Sequence, residues 1–316
     1  MSEFKEENLW GIDLGGTKIE GVILSSFEDP KVIYRLRVPT EAHLGYRHIL
    51  SQFKLLLSQM MAHSGTKPHS IGIASPGTYI PGKKEMKNCN ATCINGNDLK
   101  SDLESTLGIP VVLANDANCF ALAETRLGIV HSEFPEAKVV FGVILGTGVG
   151  GGLVVNGQIV QGRHGIGGEW GHNYLFPGEG KPCYCGKTGC NEQIISGPAL
   201  EAYYHTLSGK NLPLKAIHAS SLEGKDQTAN LTIDRLLIGF QKALSVVVNI
   251  VDPDVFVLGG GVSHINSLYT HTDVLKEMIF NHEFDTPVVK AKLGDSAGVF
   301  GAALLVKDSN EFPSSN

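Results

Sequence analysis

The stretch LWGIDLGGTKIEGVIL, residues 9–24, sets two strand-like runs, LWGIDL (9–14) and IEGVIL (19–24), on either side of Gly15-Gly16-Thr17-Lys18. Apolar runs separated by a glycine-rich break predict a β-hairpin. Glycines at such a turn bare successive backbone N–H groups, a nest that accepts anions and lets a phosphate approach the main chain. Asp13 lies just before the turn, where a carboxylate can orient hydrated Mg²⁺. Thr17 and Lys18 bring a hydroxyl and an ammonium for phosphate oxygens. Taken alone, Gly15, Gly16 and Thr17 fit an ordinary hairpin turn equally well.

A second hairpin is expected at residues 139–145 and 151–155 around Gly146-Thr147-Gly148. Setting Trp10–Leu24 against Phe141–Val155 without gaps matches Gly11 to Gly142, Leu14 to Leu145, Gly15 to Gly146 and Gly21 to Gly152. The matches fall on strand and turn positions, which predicts an internal duplication: an α/β protein of two domains, each opened by a glycine-turned hairpin. Asp13 faces Ile144 in this alignment, so only the first hairpin keeps an acid.

Between the hairpins, strands and helices alternate. A strand at 31–38 precedes a helix at about 48–61, where Ile49, Phe53, Leu56, Leu57 and Met60 recur at helical spacing. A strand at 70–74, a helix at 99–107, a strand at 110–114 and a helix at 117–127 follow. Residues 209–230 are polar and turn-rich, 243–250 have the pattern of a buried helix, and 255–258 form a strand ended by Gly259-Gly260-Gly261. A closing helix is expected at 299–306. The domains are expected to comprise 1–118 with 297–316, and 119–296.

Asn115-Asp116 follows the 110–114 strand and starts a helix, which puts a carboxylate at the C-terminal edge of a sheet, where ligands gather in α/β folds. Asp116 could accept a proton from a hydroxyl nucleophile; either residue could equally serve as a helix cap. Glu169 and His172 in GGEWGH (167–172) would share a face if the segment turned helically. His172 then precedes Cys183, Cys185 and Cys190, the Cys₃His set of a structural zinc site. A disulfide is the rival reading, but three clustered thiols leave one unpaired. Cys89, Cys93 and Cys119 have no ligand spacing and are expected as packed thiols.

Composition narrows the function. The 316 residues are 42% hydrophobic and 18% charged, ordinary for a globular chain, with a formal charge of −6. Nucleic-acid binding needs clustered Lys and Arg that no segment supplies. The longest apolar run, 243–258, is interrupted by Asp252-Pro253-Asp254, too short a span for a bilayer. MSEFKEENL has no apolar core of a leader, and a cytoplasmic location is expected.

Together, GIDLGGTK (11–18), LANDANCFALAE (113–124), ILGTGVGGG (144–152), GGEWGH (167–172), CYCGKTGCNE (183–192) and DPDVFVLGGG (252–261) resemble the ROK family of bacterial sugar kinases and sugar-responsive repressors, along nearly the whole chain. The resemblance implies a duplicated actin-like, ribonuclease-H-like ATPase fold, with ATP, Mg²⁺ and a hexose meeting in a cleft between two domains. It implies Asp116 as the catalytic base and Gly77, Asn90, Asn115, Glu169, His172 and Glu192 as sugar contacts. Gly15, Gly16, Thr17, Gly146, Thr147 and Gly148 match the phosphate turns, and Gly259, Gly260 and Gly261 the nucleoside side. His172, Cys183, Cys185 and Cys190 match the zinc ligands, and a homodimer is implied.

GEWGHN (168–173), CYCGK (183–187), NGND (95–98) and TPVVKAKLGDSAG (286–298) look most like the fructokinase and manno(fructo)kinase branch, which implies fructose or mannose as substrate. Cys93 stands where that branch carries a tryptophan, so glucose or an N-acetylated hexosamine stays open. The family's repressors add an N-terminal helix-turn-helix, for which no room is expected before the strand at Leu9. A sensor without catalysis would be expected to lose Asp116 or a phosphate turn, and both are present.

Overall fold

The computed structural model describes residues 8–270 and 273–311. The chain divides into two compact units, Met1–Gly128 with Gln158–Gly167 and Asp295–Asn316, and Ile129–Gly157 with Gly168–Gly294.

In the first unit, β1 (Leu9–Leu14) and β2 (Lys18–Leu24) form the expected hairpin, in which Leu14 pairs with Ile19. β3 (Val32–Pro39) adds antiparallel to β2. The chain crosses through α1 (Tyr46–Ser64) to β4 (Ile71–Ser75), parallel to β1. A small ribbon of β5 (Thr78–Ile80) and β6 (Glu85–Lys87) precedes α2 (Leu99–Leu107) and β7 (Val111–Asn115), so that the sheet runs β3-β2-β1-β4-β7. The apolar stripe read on α1, Ile49, Phe53, Leu56, Leu57 and Met60, is buried against this sheet. α3 (Asp116–Arg126) follows β7 without a loop.

The second unit repeats the plan after α4 (Ile129–Glu133). β8 (Val139–Leu145) and β9 (Val149–Val155) form its hairpin, and β10 (Gln158–Ile159) returns the chain to the first unit. Next come α5 (Asn191–Ile195), α6 (Gly197–Ser208), α7 (Leu214–Leu222), α8 (Gln227–Val251), β11 (Val255–Gly259), α9 (Asp273–Met278) and β12 (Val288–Lys290). β8 is antiparallel to β9 and parallel to β11, which is parallel to β12. The order β9-β8-β11-β12 therefore reproduces β2-β1-β4-β7. The ungapped alignment also holds at strand ends, since β1 stops at Leu14 as β8 stops at Leu145, and β2 begins at Lys18 as β9 begins at Val149.

α10 (Ala297–Glu311) closes the first unit. Glycines let it sit directly on backbone: a Cβ on Gly72 would come within 1.7 Å of the Ala302 carbonyl, and one on Gly301 within 1.8 Å of the Cys119 carbonyl. This packing against α3 draws the whole of α3 into the first unit, so the unit extends through Gly128, past the boundary expected at 118. Residues 209–230 are not all turn. They contain α7 and the start of α8, a 25-residue helix of which the apolar run 243–250 is only the last third. Among the described residues no helix is long and apolar enough to cross a membrane.

Candidate active site

Asp13, the Gly15–Thr17 turn, Gly77, Asn90, Asn115 and Asp116 lie in the first unit. Asn115 ends β7 in extended conformation and caps α3, its Oδ1 accepting the N–H groups of Ala117 at 2.8 Å and Asn118 at 3.4 Å. Its Nδ2 donates to the Gly77 carbonyl at 2.9 Å. Both ends of this amide thus have structural partners, and the cap falls to Asn115. Asp116, the first helical residue, is left exposed at the sheet edge, with Oδ1 accepting the Ala117 N–H at 2.8 Å. Crowding by protein raises its carboxyl pKa, with desolvation the largest cause; the bond from Ala117 opposes it, and contact with water tempers the rise.

Asp13, half-buried on β1, lies against the start of α10, where a Cβ on Gly298 would be 3.1 Å from its Oδ2. Burial, then the charges of Asp116 and Glu20, push its pKa from 3.8 up to about 7, and Lys18 works against them. Gly15 N–H donates to the Lys18 carbonyl at 3.0 Å, leaving Gly16 and Thr17 exposed at the tip. Thr40, invisible to the motif reading, pins this turn: its N–H donates to the Thr17 carbonyl at 3.0 Å and its hydroxyl to the Gly15 carbonyl at 2.7 Å. Only the β2–β3 register, Lys18 opposite Pro39, brings it there. Lys18 is not aimed at the turn alone but pairs with buried Glu20 at 3.4 Å. Burial works to raise the Glu20 pKa, yet Arg35 and Arg37 outweigh it and hold the carboxylate ionised.

Gly77 is required by its backbone. It has φ +73°, and a Cβ would meet the Lys87 carbonyl at 2.3 Å and the Cys89 N–H nitrogen at 2.8 Å. Asn90 is exposed on the following loop. That loop is locked by the NGND segment: Asn95 Oδ1 accepts the Cys89 N–H at 2.9 Å, Asn97 donates to the Cys93 carbonyl at 3.0 Å, and Asp98 caps α2 and accepts the Tyr79 hydroxyl at 3.0 Å. Cys93 is half-buried beside the core, its thiol 3.6 Å from the Ala42 carbonyl.

The Gly146–Gly148 turn, Glu169, His172, Glu192 and the glycines 259–261 lie in the second unit. The Gly146 N–H donates to the Gly148 carbonyl, and the Gly146 carbonyl accepts the N–H of Gly197, each at 2.9 Å, so the turn abuts the start of α6. Gly260, with φ +84°, packs so closely on the end of β8 that a Cβ would reach the Leu145 carbonyl at 2.3 Å. Gly261 begins a 3₁₀ turn and Gly259 ends β11, so the glycines expected beside phosphate and nucleoside adjoin one another. Glu192, expected at the sugar, lies on the turn: its Oε2 accepts the Val149 N–H at 3.2 Å. A cavity of about 480 Å³ opens beside it, lined by Thr147, Glu192, Ser196, Tyr203 and Arg235 among others.

The GGEWGH segment is a series of turns and not a helix, with Trp170 N–H donating to the Gly168 carbonyl at 2.7 Å. Trp170 is core, its indole N–H donating to the Gly150 carbonyl at 2.8 Å. Glu169 and His172 are both half-buried. The ligand atoms of His172, Cys183, Cys185 and Cys190 lie within 4.8 Å of one another. A tetrahedral zinc site has edges of about 3.5–3.8 Å from Zn–S of about 2.3 Å and Zn–N of about 2.0 Å. His172 Nδ1 is 3.7 Å from Cys183 Sγ and 3.9 Å from Cys190 Sγ, and the donor set fits that ion. Burial lowers the His172 pKa, which favours the neutral imidazole a metal needs; Glu192 opposes this and Lys187 adds to it. No cysteine forms a disulfide. His172 Nε2 lies 2.8 Å from the Tyr184 hydroxyl, a partner that the motif reading missed.

Residues 9–309 match the ROK family, and the chain belongs to it. The N-acetyl-D-glucosamine kinase of Pectobacterium atrosepticum is 35% identical over 306 residues, 94% of this chain and 98% of that protein. Its counterpart in Salmonella paratyphi C is 34% identical over 310 residues, again 94% and 98%. The ROK hexokinase of Thermus thermophilus superposes with a TM-score of 0.81 at 28% identity, covering 96% of this chain and 100% of that one. The fold is thus the actin-like ATPase fold of ROK sugar kinases, and the chain is an ATP-dependent sugar kinase. The Pectobacterium and Salmonella proteins are named as kinases of N-acetyl-D-glucosamine, and the fructokinase branch expected from local strings finds no support in those names.

Proposed function

We propose that the chain phosphorylates the primary hydroxyl of N-acetyl-D-glucosamine. The observation that carries this choice is end-to-end similarity, at 34–35% identity, to kinases named for that sugar. Cys93 supports it from within the chain, since a half-buried thiol packed beside the core stands where the fructokinase branch carries a tryptophan, and the aromatic expected of that branch is missing. The strings that favoured fructose have structural work of their own: NGND locks a loop, GEWGHN and CYCGK build the Cys₃His cluster, and 286–298 runs from β12 into α10.

In this reading Asp116 takes the proton of the attacking hydroxyl, a task open to it because Asn115 supplies the helix cap. Gly15–Thr17 and Gly146–Gly148 offer backbone N–H groups to the ATP phosphates. Asp13 would hold Mg²⁺, which neutralises charge on the transferring phosphoryl group. Asn90, Glu169 and Glu192 orient the sugar, with Gly77 and Asn115 shaping the wall beside it; His172, expected at the sugar, has its Nδ1 turned to the thiols and its Nε2 to the Tyr184 hydroxyl, and acts by holding the segment in place. Zn²⁺ held by His172, Cys183, Cys185 and Cys190 would fix the segment bearing those groups. An ADP-release assay over N-acetylglucosamine, N-acetylmannosamine, glucose, mannose and fructose tests the substrate. The largest kcat/KM is expected for N-acetylglucosamine, and a larger value for fructose would return the assignment to the fructokinase branch.

A further inference from the structure

The Gly15–Lys18 turn takes its shape from a residue outside it. Gly15 and Gly16 have wide backbone freedom, so the turn's own residues do not select one conformation. Thr40 is fully buried, and both of its donors go to the turn, the N–H to the Thr17 carbonyl at 3.0 Å and the hydroxyl to the Gly15 carbonyl at 2.7 Å. Within a trans peptide the C=O and the following N–H point in opposite directions. Holding the Gly15 carbonyl against Thr40 therefore turns the Gly16 N–H the other way, at a tip where Gly16 and Thr17 are exposed. The Gly15 N–H is engaged by the Lys18 carbonyl at 3.0 Å, so the orientation of the Gly15–Gly16 peptide decides how much of the turn faces an anion.

Thr40 is itself anchored from both sides. Pro39, with φ fixed by its ring, ends β3 opposite Lys18. Glu41 has φ +48°, a left-handed conformation that a side chain adopts at a cost and keeps only where its surroundings hold it. Its carboxylate reaches α1, where Oε2 lies 2.8 Å from His48 Nε2 and accepts the Gln52 amide at 3.0 Å. Ile49 and Phe53, the next residues along, are in the core, so the tether ends on packed structure. A strand end, a strained residue and a helix converge to hold one hydroxyl against one carbonyl. We infer, on the reading of this turn as a phosphate site, that Thr40 is a positioning residue for the nucleotide: its hydroxyl fixes the Gly15–Gly16 peptide, and the turn meets the ATP phosphates already in its bound conformation. Such preorganisation appears as affinity, because less freedom is lost when the phosphates arrive.

Calorimetric titration of the full chain with adenylyl imidodiphosphate and Mg²⁺ tests this, with circular dichroism to confirm folding and to give the melting temperature. Thr40→Val removes the hydroxyl but keeps the branched shape and the N–H bond to Thr17. Its Kd should rise about three- to tenfold, the scale of one lost hydrogen bond. Thr40→Ser restores the hydroxyl and should return Kd to within about twofold of wild type. Glu41→Gly suits the left-handed backbone and cuts the tether to α1; it should raise Kd by about twofold. Gly16→Val tests the phosphate site separately. A Cβ there meets nothing within 4 Å, so the variant should fold, and its side chain should crowd the phosphates and raise Kd. If Gly16→Val leaves Kd unmoved, the turn is not the phosphate site, and the role of Thr40 falls with that reading. If Gly16→Val raises Kd while Thr40→Val lowers only the melting temperature, or if Thr40→Ser binds no better than Thr40→Val, Thr40 serves stability alone. Should Thr40→Val not fold, an unmoved Kd in Glu41→Gly overturns the role in its place.

Discussion

Asn115 and Asp116 divide two tasks that their sequence leaves undivided. Either could cap the helix, and the structure gives the cap to Asn115, whose Oδ1 faces the first N–H groups while Nδ2 reaches Gly77. Asn115→Ala should therefore cost about 1 kcal/mol of stability by loss of the cap, and Asn115→Asp should recover much of it; denaturant titration measures both. Asp13 makes a pH-dependent prediction. Its pKa rises from 3.8 to about 7 on folding, through burial and the charges of Asp116 and Glu20. Between those values the folded chain keeps a proton that the unfolded chain has released, so this group's contribution falls as pH rises and levels off above about 7. The stability of Asp13→Asn relative to wild type should grow from pH 4 to pH 7.5 in thermal unfolding; a constant difference would contradict the raised pKa.

At the scale of elements, the two hairpins were legible because glycine punctuates apolar runs in a way that survives without tertiary context. Gly15 and Gly146 each begin a turn whose flanking strands end where the alignment puts them. α7 and the first turn of α8 were hidden because residues 209–230 are polar, and their few buried side chains, such as Ile217 and Ala229, are too sparse to set a period. Thr40 was illegible for another reason, since it meets Gly15 and Thr17 only through strand register. The Cys₃His cluster was readable from spacing alone, whereas the Tyr184 hydroxyl on His172 was not. Metal analysis of purified protein should find about one Zn per chain for this four-ligand set. Cys185→Ser should lose it and lower the melting temperature; wild type free of metal and equally stable would rule zinc out.

For the whole molecule, the duplication and the kinase chemistry could be read from motifs, but the hexose could not. The strings that pointed to fructose occupy a loop lock, a Cys₃His cluster and a strand-to-helix passage, positions with structural work of their own whichever sugar is bound. The proposed sugar therefore rests on overall similarity and not on any short string. The base is different, because one carboxylate carries the proposed chemistry.

The most direct test pairs calorimetric binding of N-acetylglucosamine with kcat for Asp116→Asn. The proposed role predicts that sugar affinity is largely kept while kcat falls by about 10²–10⁴, the range for a lost general base. Turnover near the wild-type value in a variant that still binds the sugar would contradict it.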